Sequence, residues 1–141
     1  MFVLDTNVIS ELRQGKPQPS AAVRRWAAGQ PSHRLFLSTI TILELELGIQ
    51  ALERRTPPQG SALRHWLGGV RSAFAGRILP FAENTAPVCA GLHIPNPRSD
   101  RDAMIAATAI EHRFIVVTRN MSDFEPTGAP LLNPWSEYTQ P

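Results

Sequence analysis

Four acidic residues stand where a folded chain could bring them together. Asp5 ends the apolar run Phe2-Val3-Leu4, and Glu44 lies in the first turns of "TILELELGIQALERR". Asp102 lies in the first turn of "DRDAMIAATA", and Asp123 follows "FIVVTRN". Each has a bland explanation of its own: Asp102 favours a helix N-terminus through the dipole, and Asp123 can close a turn. Taken together, they supply several oxygen ligands and no thiolate or paired imidazole, a donor set that selects a hard divalent cation, Mg²⁺ or Mn²⁺. Asp5 makes the sharpest demand. A lone carboxylate at the end of a core strand is costly to desolvate, so Asp5 is either an exposed helix cap or faces a cation.

The neighbouring acids offer a contrast. Glu46 and Asp100 each lie two residues from a candidate, roughly 200° away around a helix. That spacing predicts a solvent-facing Glu46 and an Asp100 that only favours the helix start beside a Ser99 cap. Ala106 and Ala109, at i+4 and i+7 from Asp102, are small enough to bring that helix close to a sheet.

These acids need elements to position them, and the chain alternates strands with helices. Phe2-Val3-Leu4 reads as a strand and Asn7–Arg13 as a short helix ended by Gly15 and Pro17. Ser20 can cap a helix through Ala28, stopped by Gly29. Leu35–Ser38 reads as a strand, followed from Thr39 or Thr41 by a long helix that ends before Pro57-Pro58. A further helix is predicted from about Gln59 to Ala75, then a short strand in "RILPF", a helix capped by Asn84 through Leu92, and the proline-rich loop "HIPNPRS". Apolar and small residues at helical spacing mark "DRDAMIAATAIEHR" as a helix, and "FIVVT" and "PLLNP" read as the last strands. Such alternation predicts an α/β fold, a parallel central sheet flanked by helices, in which ligands sit at the carboxyl ends of the strands. Asp5 stands at one such end, and Thr118, Arg119 and Asn120 at another.

With 141 residues and 43% hydrophobic content, the chain fits one domain with a real core, residues 1–141. The start carries no basic leader and no run approaches a membrane span, which predicts an intracellular, cytoplasmic protein with no membrane partner. The single cysteine, Cys89, excludes an internal disulfide and a thiolate zinc site and reads as a core residue. Net charge is only +2, yet with four acids gathered in one site the other eight face 14 bases, 13 of them arginine. A balance of that sign suits a phosphate polymer. His33, His65, His93 and His112 show no metal-ligand spacing, and Trp26, Trp66 and Trp135 fit packing better than base stacking. A haloacid-dehalogenase phosphatase would need D-x-D where Asn7 stands, and a distal lysine where Lys16 is the only one.

In order along nearly the whole chain, "FVLDTNVISEL", "LSTITILELELG", "SDRDAMIAATA", "VVTRNMSDFE" and "LLNPW" resemble a PIN-domain protein of the VapC toxin type, similar to plasmid-stability and trafficking-locus toxins. The resemblance implies a single PIN-like domain with Asp5, Glu44, Asp102 and Asp123 as the four acids that hold the metal, and Asn120 as an alternative ligand. Thr6, Asn7 and Thr118 match the family's supporting polar residues. One departure stands out: "CAGLHIPNPRSDRD" is shorter than the corresponding stretch of relatives.

The implied activity is that of a Mg²⁺- or Mn²⁺-dependent endoribonuclease, the toxin of a type II toxin–antitoxin module. It would cut RNA in line to leave a 5′-phosphate and a 3′-hydroxyl, with no role for the RNA 2′-OH as nucleophile. Implied partners are the RNA substrate, a second copy in a homodimer, and a cognate antitoxin that buries an apolar helix in a groove near "NVISEL" and "AAVRRWAAG". Two rivals are a catalytically silent PIN scaffold that binds RNA or protein, disfavoured by retention of all four acids, and a DNA-directed metal nuclease, disfavoured by small size.

Overall fold

The structure, a computed structural model, describes residues 1–136. Five strands form one parallel sheet: β1 (Phe2–Leu4), β2 (Leu35–Ser38), β3 (Ile78–Leu79), β4 (Ile115–Val117) and β5 (Leu131–Leu132), in the order β3-β2-β1-β4-β5. Seven helices connect or follow them: α1 (Thr6–Glu11), α2 (Ala21–Ala28), α3 (Thr39–Arg55), α4 (Pro57–Ala73), α5 (Thr85–Leu92), α6 (Asp100–His112) and α7 (Met121–Phe124). The α/β class and the parallel sheet are as the sequence predicts. Residues 137–141 of the expected single domain lie outside the described residues.

The strand order places the chain reversal between β1 and β4, since the sheet grows outward from β1 through β2 to β3 and from β4 to β5. Central strands covered on both faces read as continuous apolar runs, and β1 shows why. Phe2 and Leu4 enter a core with Val8 and Ile9 of α1, Val23 of α2, and Leu45 and Ile49 of α3. Val3 points the other way, to Ile105, Ala106 and Ala109 of α6 and to Phe124 of α7. Val8, Ile9 and Val23 are buried in this core, so within "NVISEL" and "AAVRRWAAG" it is half-buried residues such as Leu12 and Trp26 that keep some surface. Cys89 is buried against Ala103 and Ala107, and Trp26 packs edge-on to Phe2 at 5.2 Å.

Several boundaries move for local reasons. Helix α4 begins at Pro57, two residues early, because proline in a first turn lacks only an N–H that has no helical acceptor. The Ser38 hydroxyl, rather than Thr39 or Thr41, caps α3 by accepting from the Ile40 N–H at 3.0 Å. Ser20 caps α2 as expected, whereas Ser99 and Asn84 make no side-chain cap bond. Glu46 is not simply solvent-facing. It accepts from Arg64 at 2.6 Å, and Arg64 also reaches Glu53 at 2.9 Å, which joins α3 to α4. Gly60 makes this approach possible, since a methyl there would stand 2.5 Å from the Glu53 backbone nitrogen. No helix among the described residues is long and apolar enough to cross a membrane.

Candidate active site

Asp5 follows β1 directly, and its N–H still donates to the Val117 carbonyl of β4 at 2.9 Å. Thr118 follows β4 and donates its N–H to Leu132 of β5 at 3.0 Å. The two residues therefore stand side by side at the carboxyl ends of adjacent strands, at the point where the strand order reverses, which is where open α/β sheets place their sites.

Asp5 turns out to be a helix cap and a buried carboxylate at once. One oxygen, Oδ1, accepts from the Thr6 N–H at 2.8 Å at the start of α1, and Oδ2 accepts from the Thr118 hydroxyl at 2.8 Å. The residue is 4% exposed. Burial pushes its pKa up from 3.8 to about 6; the bonds from Thr118 and Thr6 oppose this, and the nearby charges of Asp102 and Glu44 add to it. So two hydrogen bonds do not satisfy this carboxylate electrostatically: desolvation and like charge outweigh them.

Glu44 is carried into the same neighbourhood by α3. The Thr6 hydroxyl donates to Glu44 Oε1 at 2.6 Å and lies 3.2 Å from the hydroxyl of buried Thr41, one turn earlier on α3. Thr6 thus couples Asp5, through its backbone, to Glu44, through its side chain. Asp102 sits in the first turn of α6, which fully buried Ala106 and Ala109 hold close to Val3 and Val116 of the sheet. Burial raises its proton affinity, as do Asp123 and Glu44, while Arg101 opposes them. Arg101 also approaches Glu44 Oε2 at 3.9 Å. Asp123 lies in α7, which is pinned by fully buried Phe124, and it is itself exposed.

The four acids therefore form one electrostatic chain, Asp5 and Asp102 each feeling Glu44, and Asp102 feeling Asp123. The sequence reading gathers the four acids in one site; among the described residues no three of them close on a single point, and like charges repel at short range. The donor set fits a hard divalent cation nonetheless. The four acids offer only carboxylate oxygens, burial and like charge raise the proton affinity of Asp5 and Asp102, and Asp102 and Asp123 share a cleft of about 390 Å³ with Arg98, Ser99, Ser122 and Pro126.

The supporting polar residues fall in the same place. Asn7 Oδ1 accepts from the Arg119 N–H at 3.4 Å, joining the β1–α1 turn to the β4–α7 turn. The Thr118 hydroxyl accepts from the Asn120 N–H at 3.0 Å while donating to Asp5. Asn120 stands at the start of α7, exposed, with no side-chain cap bond. The Asp100 side chain is 85% exposed, with His93 at 3.9 Å, as its spacing predicts.

Two features escaped the sequence reading. Glu11 of α1 is 5% exposed; burial favours its protonated form, but the Ser20 N–H at 2.8 Å and Lys16 at 3.3 Å outweigh that and hold its pKa low. An acid inside "NVISEL" followed by the only lysine was the available signal. Arg98 is the other, an arginine four residues before Asp102 in a loop that the proline-rich composition made look incidental.

The sequence matches the PIN domain family over residues 2–125. It is 42% identical to the VapC ribonuclease Y4jK of Sinorhizobium fredii, over 96% of this chain and 98% of that one. The fold superimposes on the crystal structure of FitAcB from Neisseria gonorrhoeae with a TM-score of 0.86 and 36% identity, covering 96% of this chain and 99% of that chain. It also resembles a toxin–antitoxin complex from Klebsiella pneumoniae, with a TM-score of 0.68 and 26% identity over 95% of this chain and 98% of the other.

Proposed function

The chain belongs to the PIN-domain family, and from that premise we propose that it is a divalent-metal-dependent endoribonuclease, the toxin of a toxin–antitoxin pair. The observation that carries this reading is buried Asp5 at the sheet's reversal point, linked through Thr6 to Glu44 and close enough to Asp102 for each charge to raise its proton affinity, with Asp123 acting on Asp102 in turn. Those four carboxylates would hold the cation, Mg²⁺ or Mn²⁺ by the hardness of the donor set, with Asn120 as the alternative to Asp123. When bound, such an ion supplies Lewis acidity at the attacked phosphate and makes hydroxide available near neutral pH.

The chain's own residues orient and balance the site. Thr118 and the Thr6 N–H fix both oxygens of Asp5, and the Thr6 hydroxyl fixes Glu44. Asn7 ties the two turns that carry Asp5 and Asn120. Arg101 partly offsets the negative charge at Glu44, which eases the approach of a phosphate. A single domain over residues 1–141, an antitoxin partner and a homodimer complete the proposal, and an RNA substrate assigns the activity to the cytoplasm.

Purified protein should cut RNA with Mg²⁺ or Mn²⁺ and stop in EDTA, and Asp102→Asn should cut under neither condition. Cleavage that persists undiminished in EDTA, or in Asp102→Asn, would refute the assignment.

A further inference from the structure

Arg98 lines the cleft with Asp102 and Asp123, yet among the described residues it forms no ion pair with either acid. Its Nε is buried without a hydrogen-bond partner. A desolvated guanidinium N–H left unsatisfied is unfavourable, and the two carboxylates nearby would be the obvious partners if the site were only structural. The loop holds the residue in place regardless, because the Arg98 N–H donates to His93 Nδ1 at 3.0 Å. Arg101, three residues on, behaves differently: half-exposed, it lies 3.9 Å from Glu44 and is spent on a site acid. Among the described residues the cleft thus presents a guanidinium whose buried Nε has no partner, beside two acids, Ser99 and Ser122.

A guanidinium fork is matched by the non-bridging oxygens of a phosphodiester, and four acids without a bound ion repel an RNA backbone, which a cationic side chain in the cleft offsets. We propose that Arg98 binds a backbone phosphate of the RNA as it crosses this cleft, and so positions the strand over Asp102 and Asp123. The proposal rests on the ribonuclease reading but does not depend on the bound ion, because the contact is made by the side chain alone.

The test is binding of a short fluorescein-labelled single-stranded RNA to metal-free protein in EDTA across a range of low salt concentrations, with KM and kcat measured separately under Mg²⁺. Arg98→Gln should weaken binding about tenfold, the size expected for one lost charge-assisted bond. It should also reduce the slope of log affinity against log salt by about 0.7, one single-strand phosphate contact, and raise KM far more than it lowers kcat. Arg98→Lys should restore the slope, which a merely structural role would not require. Arg54→Gln, at the far end of α3, should change neither quantity, and all variants should melt with the wild type. Unchanged affinity and slope in Arg98→Gln, a slope that Arg98→Lys fails to restore, or wild-type protein that does not bind RNA in EDTA would each overturn the proposal. Metal-dependent cleavage by the wild type tests the ribonuclease reading separately, so the two can fail apart.

Discussion

Replacing Asp5 by asparagine should make the metal-free protein more stable near neutral pH, although it removes a buried hydrogen-bonded group. Asp5 has a folded-state pKa of about 6 against an ordinary 3.8. At roughly 1.36 kcal/mol per tenfold change in proton affinity, ionising it inside the fold costs about 3 kcal/mol. The sign follows from proton counting: between the two values the folded state holds the proton and the unfolded state has lost it, so stability falls as pH rises. The contribution is intact below the unfolded value; about half is lost by pH 5 and nearly all by pH 7. Asparagine keeps the acceptor for the Thr6 N–H but obliges the Thr118 hydroxyl to accept where it now donates, at about 1 kcal/mol. The net gain is about 2 kcal/mol above pH 7, roughly 4–8 °C in melting temperature for a chain of this size, and little or none near pH 4. Thermal melting of both proteins in EDTA from pH 4.5 to 8 checks this. If Asp5→Asn melts below the wild type at pH 7.5, or shows the same pH slope, desolvation does not dominate at Asp5 and the electrostatic case for a cation there fails.

Three other outcomes follow from the same geometry. Asp102→Asn should abolish cleavage and relieve toxicity with the fold intact, whereas Asp100→Asn, at an exposed first turn, should keep most activity; comparing cleavage and melting of the pair would expose a misplaced site. Glu44→Gln should likewise stop cleavage, while Glu46→Gln should lower the melting temperature slightly by weakening one of the two ion pairs that tie Arg64 to α3 and leave cleavage standing. Gly60→Ala should destabilise by roughly 1–3 kcal/mol, the usual range for overpacking, because the added methyl collides with the Glu53 backbone at 2.5 Å; melting and denaturant titration would both register the loss, and an unchanged midpoint would show that α3 and α4 can part freely.

The sheet was legible because its strands are apolar apart from Ser38 at the end of β2 and its helices carry punctuation at their ends. Phe2-Val3-Leu4 could hardly be anything but a doubly covered strand, and the alanines behind Asp102 announced a helix lying close on the sheet. The four acids were legible for a related reason: Asp5 directly follows β1, and Glu44, Asp102 and Asp123 lie in the first turns of α3, α6 and α7. What sequence spacing could not supply was the wiring between them. That Thr6 spends its backbone on Asp5 and its hydroxyl on Glu44 depends on how α1 meets α3, a tertiary fact. Glu46 illustrates the limit from the other side, since helix periodicity turned it correctly away from Glu44 but could not reveal that α4, with Arg64, occupies that side. Arg98 and Glu11 were overlooked because a charged residue in a loop or short helix has no periodic signature; only burial makes them unusual.

The ribonuclease reading meets its most direct test in the ends of the cut RNA. Carboxylates that hold a divalent ion for in-line hydrolysis leave the 2′-OH without a part to play, so products formed with Mg²⁺ or Mn²⁺ should carry 5′-phosphates and 3′-hydroxyls, and a 2′-O-methyl substitution at the scissile nucleotide should still permit cutting. Cyclic 2′,3′-phosphate ends on ordinary RNA would contradict the roles given to Asp5, Glu44, Asp102 and Asp123.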